Sequence, residues 1–258
     1  MISMMMLPLL ACFLLVFIHV YFGAFIIRRG IIFIDLTLAQ WAALGYVCGH
    51  LLDIHQSQLL FITAFLFTII PSGILTFLKH LYEKTNLQEA VIGVLYITGS
   101  ALAAGIISNV GMEGYHLQEM LAGHLLFIES MDLIMAMTVY VAIAFTLFKC
   151  HSLFLQLNSK KSDFLFYILF GLVVTSSVKM VGILLVFSYL VIPILVTYLF
   201  TQRLKTQIIY GWGVGSLCSV MGVILSFPLD IPMSYSIILS LTVVWLMGIL
   251  IKSCFYRR

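Results

Sequence analysis

Three ionisable side chains, His19, Asp35 and Lys179, fall within apolar stretches of a 258-residue chain. Two of them have types and positions that could do chemistry together. His19 lies nine residues before Arg28, and Asp35 lies six after Arg29. At about 1.5 Å of helix rise per residue, both sit roughly 9–14 Å inward from the same turn. Antiparallel neighbouring helices would place them side by side. Such a pair is either a hydrogen-bonded couple that satisfies the carboxylate or a transient site for a metal ion or a proton. Imidazole and carboxylate both suit zinc and manganese. Lys179, in SSVKMVG, falls at a hairpin where its long stem reaches the interface, and it is assigned no chemistry.

The helix that begins near Asp35 sets what that carboxylate faces. At 100° per residue, Asp35 shares a stripe with Ala39, Ala42, Tyr46, Gly49 and His50. Thr37, Gln40, Trp41, Leu44 and Leu51 lie on the other side. Small residues allow close helix packing, and they also leave room for a narrow polar path. Both readings stay open at this point.

The elements that must position these residues are membrane spans. Hydrophobic residues make up 63% of the chain and charged ones 9%, with a mean hydropathy of +1.17. Soluble domains carry about a quarter charged residues, so this composition belongs in a bilayer. Apolar runs long enough to cross one recur at roughly 5–27, 36–52, 59–78, 90–108, 131–149, 163–178, 182–200, 208–226 and 234–251. The expectation is an all-α, polytopic transmembrane bundle of eight or nine spans, forming one domain over 1–258. Pro193 should kink or break its helix, and the pair 163–178 and 182–200 admits a broken or re-entrant element. The first run lacks a basic start and a cleavage motif, so it reads as an uncleaved span. The segment 109–130 is too polar to span and is expected to hold a short interfacial helix.

Charge orients the bundle. Twelve of the thirteen Lys and Arg residues fall in alternate loops or the C-terminal tail, Lys179 excepted. The positive-inside rule makes that side cytoplasmic, with the C-terminus inside. Asp53, Glu113, Glu119, Glu129, Asp132 and Asp230 then face outward, together with His50, His55, His116 and His124. These are either ordinary polar loops or an anionic vestibule that attracts a divalent cation. Five scattered cysteines without C-x-x-C look like apolar fillers. No P-loop, H-E-x-x-H or G-x-S-x-G run is present, and no basic run suggests nucleic acid. Any energy for transport must come from a gradient or a partner.

The run KMVGILLVFSYLVIPILVTYLF resembles the most recognisable stretch of the zinc/manganese/iron-type ABC transporter permeases, through Val181, Gly182, Leu184, Leu185, Val186, Ile192 and Pro193. LSFPLDIPMSYSII is similar to that family's S-[YF]-x-x-D-x-P segment, with Ser226, Phe227, Asp230 and Pro232 in place. HLQEMLAGHLLFIESMDL matches its external segment through Leu121, Gly123, Leu126 and Asp132. RRGIIFIDLTLAQ stands where the family has R-R-x-x-x-x-G-D-A-L-S-H. The likeness runs from roughly residue 10 to 250.

The resemblance implies a permease subunit in the cell (inner) membrane that carries zinc or manganese and binds no cofactor of its own. The implied partners are a cytoplasmic ATP-binding subunit, an extracytoplasmic metal-binding protein, a second copy of the chain and membrane lipid. The expected metal-contacting residues are Asp35, His19, Asp230 and His50. Three departures stand out. The family's histidine one turn after the aspartate is Ala39 here, and Gln40 points about 140° away, which leaves the vacancy to His19. The Gly-Pro that the family places after its aspartate is Ser234-Tyr235. The loop KCHSLFLQLNSKKSD lacks the family's longer acidic segment. A proton-coupled secondary transporter using Asp35 and His19, and a non-transporting relative of the permeases, are the alternative readings.

Overall fold

The structure is a computed structural model, and it describes residues 2–54, 56–82, 87–109, 125–154 and 160–256. Every regular element among these residues is helical. In chain order they are α1 (Ile2–Arg29), α2 (Ile34–Leu51), α3 (Ser57–Tyr82), α4 (Gln88–Asn109), α5 (Ser130–Phe154), α6 (Lys160–Val181), α7 (Ile183–Tyr198), α8 (Leu204–Leu229) and α9 (Met233–Tyr256). One 3-10 turn, Leu125–Phe127, precedes α5. The all-α expectation holds, and each predicted segment lies on one of these helices.

Seven of the helices are long and apolar enough to cross a membrane, fewer than the eight or nine expected. The two others fall short for different reasons. α7 is strongly apolar but has only 16 residues. α2 has 18 residues, yet Asp35, Gln40 and His50 dilute its hydropathy. The polar groups that make α2 interesting are thus the ones that weaken it as a span.

Two compact units emerge from the packing. The first comprises Met1–Arg28, His124–Met137 and Met180–Arg258; the second comprises Arg29–Gly123 and Thr138–Lys179. The first unit is built on close backbone approach. A Cβ added at Gly23 of α1 would overlap the Leu190 carbonyl oxygen of α7, and one at Gly222 of α8 would stand 2.5 Å from the Ile237 Cα of α9. Val16 and Val20 of α1 fit against Gly215 and Gly211 of α8. This is the small-residue mode of association that lipid-embedded helices use in place of a hydrophobic driving force. Gly222→Val is therefore expected to separate α8 from α9. Overpacking of this kind costs about 1–3 kcal/mol, so the melting temperature of the purified protein in detergent should fall by several degrees.

The boundary between α6 and α7 is a single residue. Gly182 has φ 81° and ψ 163°, a conformation closed to side-chain-bearing residues. The backbone angle of Gly182 makes it a helix break. Pro193, by contrast, lies buried inside α7, which continues past it.

The second unit is arranged around α2. Ala42 and Tyr46 pack on Leu60 and Ala64 of α3, with Gly45 against the Ala64 backbone. On another side, Trp41 and Leu44 pack with Ala103 of α4. The Thr37 hydroxyl donates to the Ile92 carbonyl at 3.0 Å, and the Trp41 indole N–H to the Leu95 carbonyl at 3.0 Å. Below them, Asp163 of α6 accepts from Arg29 and, at 2.6 Å, from Lys79 of α3. The Arg29 guanidinium also lies 4.5 Å over the Phe166 ring.

Candidate functional site

α2 starts with little local help. Its N-cap is Phe33, which has no side-chain acceptor to offer the first amides. Gly30, at φ 66°, turns the chain out of α1, and Ile34 N–H bonds back to the Ile31 carbonyl. Asp35 then falls in the first turn of the new helix.

The Asp35 side chain is fully buried, and neither carboxylate oxygen has a hydrogen-bond partner among the described residues. Its neighbours behave differently. Thr37 and Trp41 donate across to α4, and buried Ser72 and Thr76 donate to the Thr68 and Ser72 carbonyls at 2.7 Å each. Buried polar groups are normally paired, and an isolated buried carboxylate is among the most expensive groups a helix can carry. Around the helix, Asp35 lies about 120° from Trp41 and 160° from Thr37, so it points away from the face that α4 covers. It sits on the stripe of Ala42, Tyr46 and Gly49, as the sequence placed it.

His50 is on the same stripe in the last turn of α2, and its Nε2 is buried without a hydrogen-bond partner among the described residues. Fifteen residues of helix separate it from Asp35, about 22 Å along the axis, so one ion cannot bridge the two. His19 is buried in the first unit, where its Nδ1 pairs with the Leu15 carbonyl at 2.8 Å. That backbone partner is one turn back on its own helix. Asp230 is exposed and ends α8 in the left-handed region, φ 52° and ψ 42°. Its amide bonds to the Phe227 and Ser226 carbonyls, and the Ser226 hydroxyl donates to the Ile231 carbonyl at 2.7 Å. The S-F-x-x-D-x-P segment thereby forms the turn between α8 and α9. Lys179 lies in the last turn of α6.

Of the outward-facing set, His55, Glu113, His116, Glu119 and His124 lie outside the described residues, as does the interfacial helix expected within 109–130 apart from the turn at Leu125–Phe127. Among the described residues, no three His, Cys, Asp or Glu side chains converge on one point. Asp35 is a single carboxylate with open coordination, which suits brief contact with a cation better than storage of one.

Sequence reasoning missed Glu89 and Asp163. Both stand at helix starts, where acids are ordinarily solvated and favourable to the helix dipole. Their partners, the Ile32 amide and the Arg29 and Lys79 side chains, come from elsewhere in the chain, and no local pattern announces them.

Comparison with known proteins follows the same lines. Residues 1–252 match the sequence family described as the ABC 3 transport family. The manganese import system permease protein ScaB of Streptococcus gordonii is 26% identical over 242 residues, covering 89% of this chain and 84% of the relative. The high-affinity zinc uptake system membrane protein ZnuB of Buchnera aphidicola is 28% identical over 241 residues, covering 88% and 89%. Among solved structures, PsaBC from Streptococcus pneumoniae in complex with Fab superposes with a TM-score of 0.75 at 22% identity, covering 95% of this chain and 90% of that one. The two share their fold.

Proposed function

Since the chain belongs to the ABC 3 transport family, we propose that it is the membrane-spanning permease subunit of an ATP-driven transporter for a divalent transition metal ion, zinc or manganese. The observation that carries this reading is Asp35: a fully buried carboxylate, without a hydrogen-bond partner among the described residues, on a small-residue stripe of α2. The relatives named above are permeases of manganese and zinc systems.

In this reading the whole chain acts as one permease domain, and ATP is hydrolysed on a separate cytoplasmic subunit. A metal-binding protein delivers the ion from outside, and two copies of the chain form the path. α2 and α7 complete the membrane crossing to nine helices, which leaves the C-terminus with the basic loops in the cytoplasm. His50 at the outer end of α2 and Asp35 at the inner end act in sequence along the helix. Asp35 offers the charge, and water supplies the remaining ligands. His19, as the other buried imidazole, and Asp230, at the α8–α9 turn, are secondary candidates.

The test is uptake of radioactive manganese or zinc into proteoliposomes holding this chain with its ATPase subunit and binding protein. Uptake should require ATP on the ATPase side and should collapse when the ATPase is omitted. Uptake that follows an imposed proton gradient without the ATPase would replace this reading with a proton-coupled secondary transporter.

A further inference from the structure

We infer that Glu89 of α4 is a positioning residue for Asp35, setting the affinity of the site for its cation. The inference rests on the function proposed above and extends it to a residue that touches neither the ion nor Asp35.

The first amides of a helix have no intrahelical acceptor, and a local Ser, Thr, Asp or Asn usually serves them. Phe33 cannot do so. Glu89, from another helix, accepts instead from the amides of the N-cap and the residue before it. Its Oε1 accepts the Ile32 N–H at 2.6 Å, and its carboxylate also takes the Phe33 N–H. In a capping box, a glutamate three residues into the helix reaches back to the N-cap amide. Here the same bond is made across space, and its effect is to tie the start of α2 to α4.

Two further hydrogen bonds continue that tie along α4. Glu89, Ile92 and Leu95 of α4 meet Ile32, Thr37 and Trp41 in parallel register. On the preceding side, Arg29 is fixed by Asp163 and the Phe166 ring. The four residues from Gly30 to Phe33 are therefore pinned at both ends, and Asp35 projects from the turn that follows. Because Asp35 faces away from α4, Glu89 cannot act as its ligand partner. It acts through the backbone. A carboxylate with no hydrogen-bond partner among the described residues takes its position from the helix that bears it, so movement of the first turn moves the ligand. Displacements of about 1 Å at such centres cost up to a hundredfold.

Reach and charge make different demands on Glu89, and two substitutions separate them. Glu89→Gln keeps an acceptor oxygen at the same distance, whereas Glu89→Asp keeps the charge but withdraws it by one methylene. The measurement is a titration of the purified chain, bound to its ATPase subunit, with manganese chloride or zinc chloride. The dissociation constant is read from thermal stabilisation. Hydrogen exchange of the 30–38 segment is followed on the same samples.

E89D should raise the dissociation constant about tenfold or more and speed exchange of the Ile32 and Phe33 amides, and E89Q should leave both within about threefold. Adding E89D to D35N should cause no further loss of metal binding. Unchanged affinity in E89D, or equal damage from E89Q, would overturn the positioning role. Faster exchange with wild-type affinity would also overturn it, reducing Glu89 to a helix cap. Stabilisation by metal that survives D35N would instead remove the Asp35 reading, and this inference with it.

Discussion

Asp35→Asn removes ATP-driven metal uptake, by more than about a hundredfold, and leaves the protein as stable as before or more so. The asymmetry follows from the site. Asparagine has nearly the same shape and would fill the same buried space on α2. What it lacks is charge, and a neutral amide cannot replace the energy a divalent cation loses on shedding water. No partner among the described residues depends on the Asp35 carboxylate, so its removal orphans nothing. Loss of an unpaired buried charge is neutral or stabilising. Uptake into proteoliposomes and the melting temperature in detergent, measured on one preparation, check both halves. A variant that transports at wild-type rates would remove Asp35 from the path. One that neither transports nor folds would make the residue structural. His50→Ala should lower uptake less, because the imidazole lies about 22 Å further along the helix and the ion meets it in passing.

Asp163→Ala should have the largest effect on stability. The Asp163 side chain is 2% exposed and is shared by Arg29, 4% exposed, and Lys79, 12% exposed. Taking away the anion that Arg29 and Lys79 share costs both of them that ion pair, and breaking a buried pair from one side costs about 3–5 kcal/mol. Thermal unfolding of the detergent-solubilised protein should reveal that loss as a drop of ten degrees or more, on the order expected for a domain of this size. Replacing all three together, as Arg29→Met, Lys79→Met and Asp163→Leu, should recover most of it, since an apolar set leaves no charge uncompensated. If the single change is silent, the cluster is not holding α1, α3 and α6.

The helices were legible because apolar runs of bilayer length have few other uses, and each run found by eye carries a helix. The stripe through Asp35, Ala42, Tyr46 and Gly49 was legible for a related reason: helical periodicity fixes azimuth without any knowledge of neighbours. Azimuth also explains what the sequence could not supply. It gives direction but no partner: nothing in the sequence announces that His19 meets the backbone carbonyl four residues back on its own helix. Gly182 shows a second limit, since nothing local distinguishes a glycine used for space from one used for its backbone angle. Glu89 and Asp163 show a third. An acid at the edge of a span looks solvated until the rest of the chain delivers a donor to it.

The first unit has a consequence for how the protein is made. α1 takes its contacts from α7 and α8: Gly23 lies against Leu190, the Trp212 indole donates to the Phe17 carbonyl across 195 residues, and Arg28 donates to the Gln202 carbonyl at 2.9 Å. Synthesis runs the other way. α1 leaves the ribosome before α7 and α8 and must wait in lipid or with an insertase until they have followed, carrying a histidine with it. The second unit has no such delay, because α2, α3 and α4 are neighbours in sequence as in space. Early, local assembly around Asp35 and late closure around His19 are thus built into the order of the helices.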